Sequence, residues 1–175
     1  PWQAGENLST AIGQGFVLTT PIQLASAYMA LANGGKVYRP FLVKRVFDNN
    51  NNTIKEFSPT ITTDLSDDTK PYYVSEDTLK VVRKGLFRVA NGKKGTARWA
   101  KVPNFLIAGK TGTAQVRGFS ASQIYGRCDE RPLKQRHNGW YVAFGPTEDP
   151  EITVLVLTEH SCSSSKSVPV VRDFF

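Results

Sequence analysis

Cysteine is scarce in this chain, with Cys128 and Cys162 the only two among 175 residues. The two histidines, His137 and His160, lack ligand spacing around them, so the sequence offers no zinc set, and neither metal nor cofactor is expected. One disulfide is compatible with that count, but two free thiols in loops is the reading adopted from sequence. Long apolar runs are also missing. No stretch approaches the roughly 18 residues of a membrane span, and nothing at the N-terminus has the pattern of a secretory signal. An export signal or anchor of the parent protein is therefore expected outside this segment. Internal repeats are absent too.

What is present suits a soluble domain. The chain is 40% hydrophobic and 21% charged, ordinary values for a globular protein long enough to bury one core. The net charge is +7, and the basic residues gather at 83–101 and 117–136. Aromatics do not interleave with these charges as a stacking platform would require, and no basic helix carries the run. Nucleic acid is thus not an expected partner. A solvated basic surface is the expected state, with attraction to an anionic membrane or cell-wall polymer as the other reading.

Along the chain, residues 1–15 show no clear N-terminal element, although Gly13-Gln14-Gly15 marks a tight backbone passage. Thr20-Pro21-Ile22-Gln23 predicts a helix start, with Thr20 as cap, Pro21 at the first helical position and Gln23 completing a capping box. The helix is apolar nearly all round, which predicts burial, and Asn33-Gly34-Gly35 ends it. Residues 37–47 read as an extended segment broken at Pro40, and 53–57 as its returning partner across an Asn-rich turn. Residues 58–70 read as loop. Ser75 opens a second helix, its stripe formed by Leu79, Val82, Leu86 and Val89, closing at Asn91-Gly92. Residues 95–99 read as a loop or short helical turn. Strands are expected within 105–116, 140–145 and 152–159, forming an antiparallel patch. Residues 117–138 read as a long polar loop, 161–167 as a Ser-rich turn, and 168 onward as a final helix. The order of elements predicts an α+β fold, helices on an antiparallel sheet.

The stretch Gly109-Lys110-Thr111-Gly112-Thr113-Ala114-Gln115 carries the chemistry. On a strand, Lys110 and Gly112 point one way and Thr111 and Thr113 the other. Such an arrangement brings hydroxyls and a backbone N–H near one anionic ligand, and Gly112 permits close approach. A phosphate loop is excluded, because Asn104 stands where that motif needs glycine and no helix follows the lysine. Two readings stay open on these residues alone: a buried Gly/Thr-rich strand, and the Lys-Thr-Gly element of serine acyl-transfer enzymes.

Other segments decide between them. Ala11-Ile12-Gly13-Gln14-Gly15, Leu18-Thr19-Thr20-Pro21-Ile22-Gln23-Leu24-Ala25, Ala30-Leu31-Ala32-Asn33-Gly34-Gly35, Gly95-Thr96-Ala97, the Lys-Thr-Gly strand, Trp140-Tyr141-Val142-Ala143-Phe144-Gly145-Pro146 and Glu159-His160 follow one another in order. Together they resemble the transpeptidase domain of bacterial penicillin-binding proteins, most closely the elongation-type penicillin-binding protein 2, with the division-type paralogue next. The resemblance implies the C-terminal part of a penicilloyl serine transferase fold, a five-stranded antiparallel sheet flanked by helices. It implies a peptidoglycan D,D-transpeptidase inhibited by β-lactams. Its partners would be stem peptides and the cell-elongation machinery, including a glycosyltransferase. Its place would be the periplasmic side of the cytoplasmic membrane, held there by an anchor outside this chain.

By the same resemblance, Lys110 supplies positive charge, Thr111, Gly112 and Thr113 hold the substrate carboxylate, and the Thr113 N–H forms half of an oxyanion hole. The nucleophile is not expected here. Ser163-Ser164-Ser165-Lys166 matches Ser-x-x-Lys, but it follows the Lys-Thr-Gly strand and sits in a turn. Ser66-Asp67-Asp68 places an anion where the family's Ser-x-Asn element has an amide. The attacking serine is expected upstream of Pro1. A non-catalytic sensor or scaffold with the same fold is the alternative function. A β-lactamase is a third, and the Gly13-Gln14-Gly15 context speaks against it.

Overall fold

The computed structural model describes residues 2–116 and 126–175. Its central feature is a three-stranded antiparallel sheet of β5 (Ala108–Ala114), β6 (Asn138–Gly145) and β7 (Ile152–Thr158). The register runs without a break from Ala108↔Phe144 to Ala114↔Asn138, and from Gly139↔Thr158 to Gly145↔Ile152. Side chains alternate along each strand, so this register assigns every residue to a face.

One face carries Tyr141 and Ala143. They pack with Ile107, with Val168 and Val171 of the last helix α4 (Ser167–Phe174), and with Ala97 and Ala100 around a short helical turn, Arg98–Ala100. The other face carries Ala108 and Phe144, which pack with Ala32 of α2 (Pro21–Ala32) and Leu86 of α3 (Glu76–Asn91). Helices thus cover both faces, as the α+β expectation required. Tyr141 and Phe144 are the largest fully buried side chains. Truncating a buried Phe such as Phe144 to Ala costs about 3–5 kcal/mol, through lost transfer energy plus the cavity left behind.

The two principal helices start where their caps place them. The Thr20 hydroxyl accepts from Gln23 N–H at 3.3 Å, and Gln23 Oε1 accepts from Thr20 N–H at 2.9 Å. Ser75 Oγ accepts from Thr78 N–H at 3.2 Å. The predicted stripe of α3 is rotated slightly: Leu79, Leu86 and Ala90 are buried, whereas Val82 is exposed. Burial of α2 is less complete than its composition predicts. Only Ala30 and Ala32 are buried, because their small side chains permit close approach. Ile22 and Met29 instead border an apolar groove of about 510 Å³ that Tyr38, Phe41 and Ile152 also line.

Three expectations fail. Residues 4–11 form a helix, α1 (Ala4–Ala11), which buries none of its residues and so leaves no apolar stripe to read. Its first turn is held by Glu6, whose carboxylate accepts from Gln3 N–H at 2.7 Å. The segment read as loop contains β4 (Ile61–Asp64), paired with β1 (Lys36–Tyr38) from Lys36↔Asp64 to Tyr38↔Ile61. Ile61 and Thr62 of this strand are exposed, so it shows no alternation of apolar and polar residues. The hairpin of β2 (Arg45–Phe47) and β3 (Thr53–Glu56) forms as expected, its turn held by Asp48 Oδ1 accepting from Asn50 and Asn52 N–H at 2.8 Å each.

The third correction concerns the cysteines. Cys128 and Cys162 are joined as a disulfide, 34 residues apart, not free thiols. Sequence spacing could not show this, because the fold brings the two together. Cys162 N–H donates to His137 C=O at 2.9 Å, and His160 N–H donates to Asn138 Oδ1 at 2.8 Å, so the turn after β7 lies against the segment leading into β6. Of the long loop expected before β6, residues 117–125 lie outside the described residues, while Cys128–Glu130 and Leu133–Gln135 form short helical turns. Among the described residues no helix is long and apolar enough to cross a membrane.

A cross-link closing a loop of this length restricts the unfolded chain by about 3–4 kcal/mol in the chain-entropy model. Reduction, or Cys128→Ser, is therefore expected to lower the denaturant midpoint clearly. An unchanged midpoint under reductant would contradict the cross-link.

Partial burial, with Arg131 nearby, lowers the pKa of His137. A depressed pKa in the fold means the unfolded chain binds the proton better, so this group's stabilisation is full above about pH 6.5 and fades as pH falls below it. Melting temperature is expected to drop between pH 7.5 and 5.5, and the drop should shrink in His137→Gln. An identical drop in both proteins would remove His137 as its source.

Candidate active-site edge

Among the described residues β5 pairs with β6 on one side only, which leaves its other edge open to a cleft. Three contacts define that open edge. Lys110 Nζ donates to Thr111 C=O at 2.8 Å, Gln14 Nε2 donates to Thr113 C=O at 2.7 Å, and Gln115 N–H donates to Gln14 Oε1 at 3.4 Å. In an antiparallel strand the N–H and C=O of one residue point to the same side. The Thr113 N–H therefore points out of this edge together with its carbonyl, as an oxyanion donor must.

The side chains divide as the alternation predicts. Lys110 is exposed, on the face that α2 covers further along. Thr111 lies on the opposite face, 8% exposed, and its hydroxyl shares a 2.7 Å hydrogen bond with the Thr96 hydroxyl. Of the two predicted hydroxyls, Thr113 is thus the more open to a ligand. Gly112 faces Trp140 of β6. A Cβ there would lie 1.9 Å from Trp140 Cε2, so the missing side chain makes room for the indole.

A cleft of about 550 Å³ runs along this edge, lined by Gln14, Tyr28, Lys110, Thr113, Trp140 and Ser164 among others. Burial pushes the Tyr28 phenol above its ordinary range, so it stays neutral. Lys110 brings a cation to the cleft, and Thr113 lines it three residues further along the same strand. This arrangement suits a ligand with a carboxylate beside a polarised carbonyl. A hydrogen bond to a charged group is worth about 1.5–3 kcal/mol. Losing one oxyanion donor costs roughly 100- to 1,000-fold in rate.

Lys110, Thr111, Gly112 and Thr113 therefore come together on one strand as expected. Gln14 and Trp140, which line the cleft, and Thr96, which supports it by bonding Thr111, are not among the site residues named from sequence. Their only sequence signals were the Gly-Gln-Gly passage, the Gly-Thr-Ala segment and the aromatic following Gly139. Of the two weak serine motifs only Ser164 reaches the cleft, and the first serine of each serves a local turn. Ser163 Oγ accepts from Ser165 N–H at 3.3 Å and shares a hydrogen bond with the Ser165 hydroxyl, so it caps the short turn Ser164–Lys166. Ser66 donates to Asp64 at 2.6 Å in the turn after β4. That hydrogen bond is the main cause of the lowered Asp64 pKa.

The sequence matches the penicillin binding protein transpeptidase domain over residues 1–175. It is 30% identical over 174 residues to the peptidoglycan D,D-transpeptidase MrdA of Salmonella typhimurium, covering 98% of this chain and 26% of that protein. The fold is similar to penicillin-binding protein 2 of Pseudomonas aeruginosa solved in complex with WCK 5153, with a TM-score of 0.69 and 30% identity over 99% of this chain and 33% of that one. It is also similar to the complex of Helicobacter pylori penicillin-binding protein 2 with MreC, with a TM-score of 0.68 and 30% identity over 98% of this chain and 27% of that one. The chain thus spans about a quarter of the length of the MrdA relative.

If the Thr96–Thr111 hydrogen bond supports the strand, a double-mutant cycle of Thr96→Val and Thr111→Val should show a coupling of about 0.5–1.5 kcal/mol in denaturant unfolding. Additive single effects would show that the bond contributes nothing.

Proposed function

The chain belongs to the penicillin-binding protein transpeptidase domain family, and from that premise we propose that it forms the substrate-binding wall of a serine-type peptidoglycan D,D-transpeptidase. The observation that carries this reading is the edge of β5, where the Thr113 N–H points out of the sheet beside the exposed Lys110.

In the proposed reaction, a serine hydroxyl of the parent protein attacks the penultimate D-Ala carbonyl of a stem peptide. The new ester C–O bond forms, the peptide C–N bond breaks, and the terminal D-Ala leaves with the serine's proton. An amine of a neighbouring stem then attacks the ester, a new amide forms, and the serine regains a proton. The Thr113 N–H stabilises the oxyanion of both tetrahedral intermediates. Lys110 supplies positive charge near the reacting groups and the Thr113 hydroxyl addresses the terminal carboxylate, while the Thr111 hydroxyl, bonded to that of Thr96, holds the strand behind them. Gly112 leaves the space that the indole of Trp140 occupies. The attacking serine is assigned to a part of the parent preceding Pro1, in keeping with Ser163 serving as a local cap.

A β-lactam presents the same carboxylate and reactive carbonyl, so it is a proposed ligand of the same edge. The likeness to MrdA and to two penicillin-binding protein 2 structures favours the elongation type. By the same analogy an MreC-like protein and a glycosyltransferase are proposed partners, and the periplasmic face of the cytoplasmic membrane the proposed location.

A labelled penicillin tests the reading. The full-length parent is expected to form a stoichiometric serine adduct outside these residues, and the isolated 175-residue chain none. Lys110→Ala in the parent should slow acylation on the order of 10- to 100-fold with little change in melting temperature. A parent that forms no adduct would favour the sensor or scaffold alternative, and an unchanged rate would remove Lys110 from the site.

A further inference from the structure

The basic run at 83–101 has no part in the reaction proposed above. Between Asp77 and Asp129 the sequence holds no acidic residue, while Lys84, Arg88, Lys93, Lys94, Arg98 and Lys101 fall close together within that span. All six are exposed. On α3, Lys80, Lys84 and Arg88 recur every four residues and so share one face. Lys80 is neutralised by Glu76 at 2.9 Å and Asp77 at 3.8 Å, but among the described residues Lys84 and Arg88 form no ion pair. Like charges at this spacing repel, so the face gains from an anionic ligand.

The turn after α3 brings more cations to the same place. Gly92 N–H donates to Arg88 C=O at 2.9 Å and Ala97 N–H to Val89 C=O at 3.0 Å, so residues 92–97 fold back on the end of the helix. The approach is close enough to require glycine: a Cβ at Gly95 would lie 2.2 Å from the Val89 carbonyl oxygen. The result is an open depression of about 440 Å³ lined by Arg88, Lys94, Thr96, Gly85, Gly92 and Gly95 among others. Thr96 is also the partner of Thr111, which lines the substrate cleft. The depression and the cleft therefore lie on either side of one pair of hydroxyls.

We propose that Arg88 and Lys94, with Lys84 and Lys93 beside them, form a docking surface for carboxylates of the peptidoglycan polymer, outside the reacting site. The proposal rests on the transpeptidase reading, in which each uncleaved stem ends in a carboxylate. A polymer that lays one stem along β5 carries neighbouring stems, and their anionic ends are drawn to the cations of the depression. Arginine pairs with a carboxylate through two parallel hydrogen bonds, and lysine adds point charge. An anionic bilayer suits the surface less well. Interfacial binding needs a broad apolar face beside the charges. Here the exposed apolar groups next to the cations are Val81 and Trp99, the latter with the Arg98 guanidinium 4.7 Å from its ring centre.

The test measures co-sedimentation of the full-length parent with insoluble peptidoglycan, comparing wild type with the triple variant Lys84→Gln, Arg88→Gln, Lys94→Gln. The variant is expected to bind about ten-fold more weakly, each exposed charge pair contributing about two- to three-fold. The gap should narrow as salt is raised from about 50 to about 300 mM, and it should close on polymer whose carboxylates have been amidated. Acylation by a fluorescent penicillin, which lacks the neighbouring stems, is expected to stay within about two-fold of wild type in the same variant. Equal binding of the polymer by variant and wild type would overturn the proposal. So would a gap that survives amidation, a penicillin rate that falls in step with polymer binding, or a loss seen instead on vesicles containing an anionic phospholipid. Absence of any penicillin adduct on the wild-type parent is a different result, and it would overturn the transpeptidase reading itself.

Discussion

The open edge of β5 is the constraint on which the rest of the site depends. A strand edge presents unpaired backbone donors and acceptors, and proteins ordinarily cover or blunt it. Here the edge is divided. Lys110 Nζ and the Gln14 carboxamide take the Thr111 and Thr113 carbonyls, while the Thr113 N–H faces the cleft. Backbone groups have no rotamers, so a donor built from them is as rigid as the sheet behind it.

That rigidity comes from packing on both faces. Tyr141, Ala143, Val168 and Val171 fix one side, and Ala32, Leu86 and Phe144 the other. Asn91 Nδ2 also ties the end of α3 to the Ile107 carbonyl at 2.8 Å, just before β5 begins. Lys110 is carried on this frame, exposed but with its Nζ on the Thr111 carbonyl. On the proposed reading, polarisation of a substrate carbonyl falls to the backbone, and attraction of its carboxylate to the Lys110 side chain. The disulfide between Cys128 and Cys162 holds the approach to β6 against the turn after β7, at the end of the sheet where Thr113 pairs with Gly139.

Much of this was legible wherever local chemistry and tertiary structure agree. Thr20, Pro21 and Gln23 start α2 by hydrogen bonds that a sequence can show. Asp48 and the asparagines after it make the β2–β3 turn for local reasons. The Lys-Thr-Gly strand, with its neighbours at 140–145 and 152–158, has the apolar runs of a buried sheet. What stayed hidden depends on contacts between distant residues. α1 buries nothing and β4 lacks alternation, so neither has a pattern to detect. The cysteine pairing needs residues 34 apart to be brought together. Gln14 looked like part of a tight turn, and its meaning appears only once β5 lies beside it. Gly112 reads as room for a ligand from sequence, and that a side chain there would also meet the indole of Trp140 shows only in the fold.

The central claim is that the Thr113 N–H at the open edge of β5 receives the oxyanion of the acyl-transfer reaction. The most direct measurement is a crystal structure of the full-length parent acylated by a β-lactam. The account predicts the acyl carbonyl oxygen within about 2.7–3.1 Å of the Thr113 nitrogen. An acyl oxygen turned away from that nitrogen, or a Thr113 N–H rotated into the sheet, would contradict it.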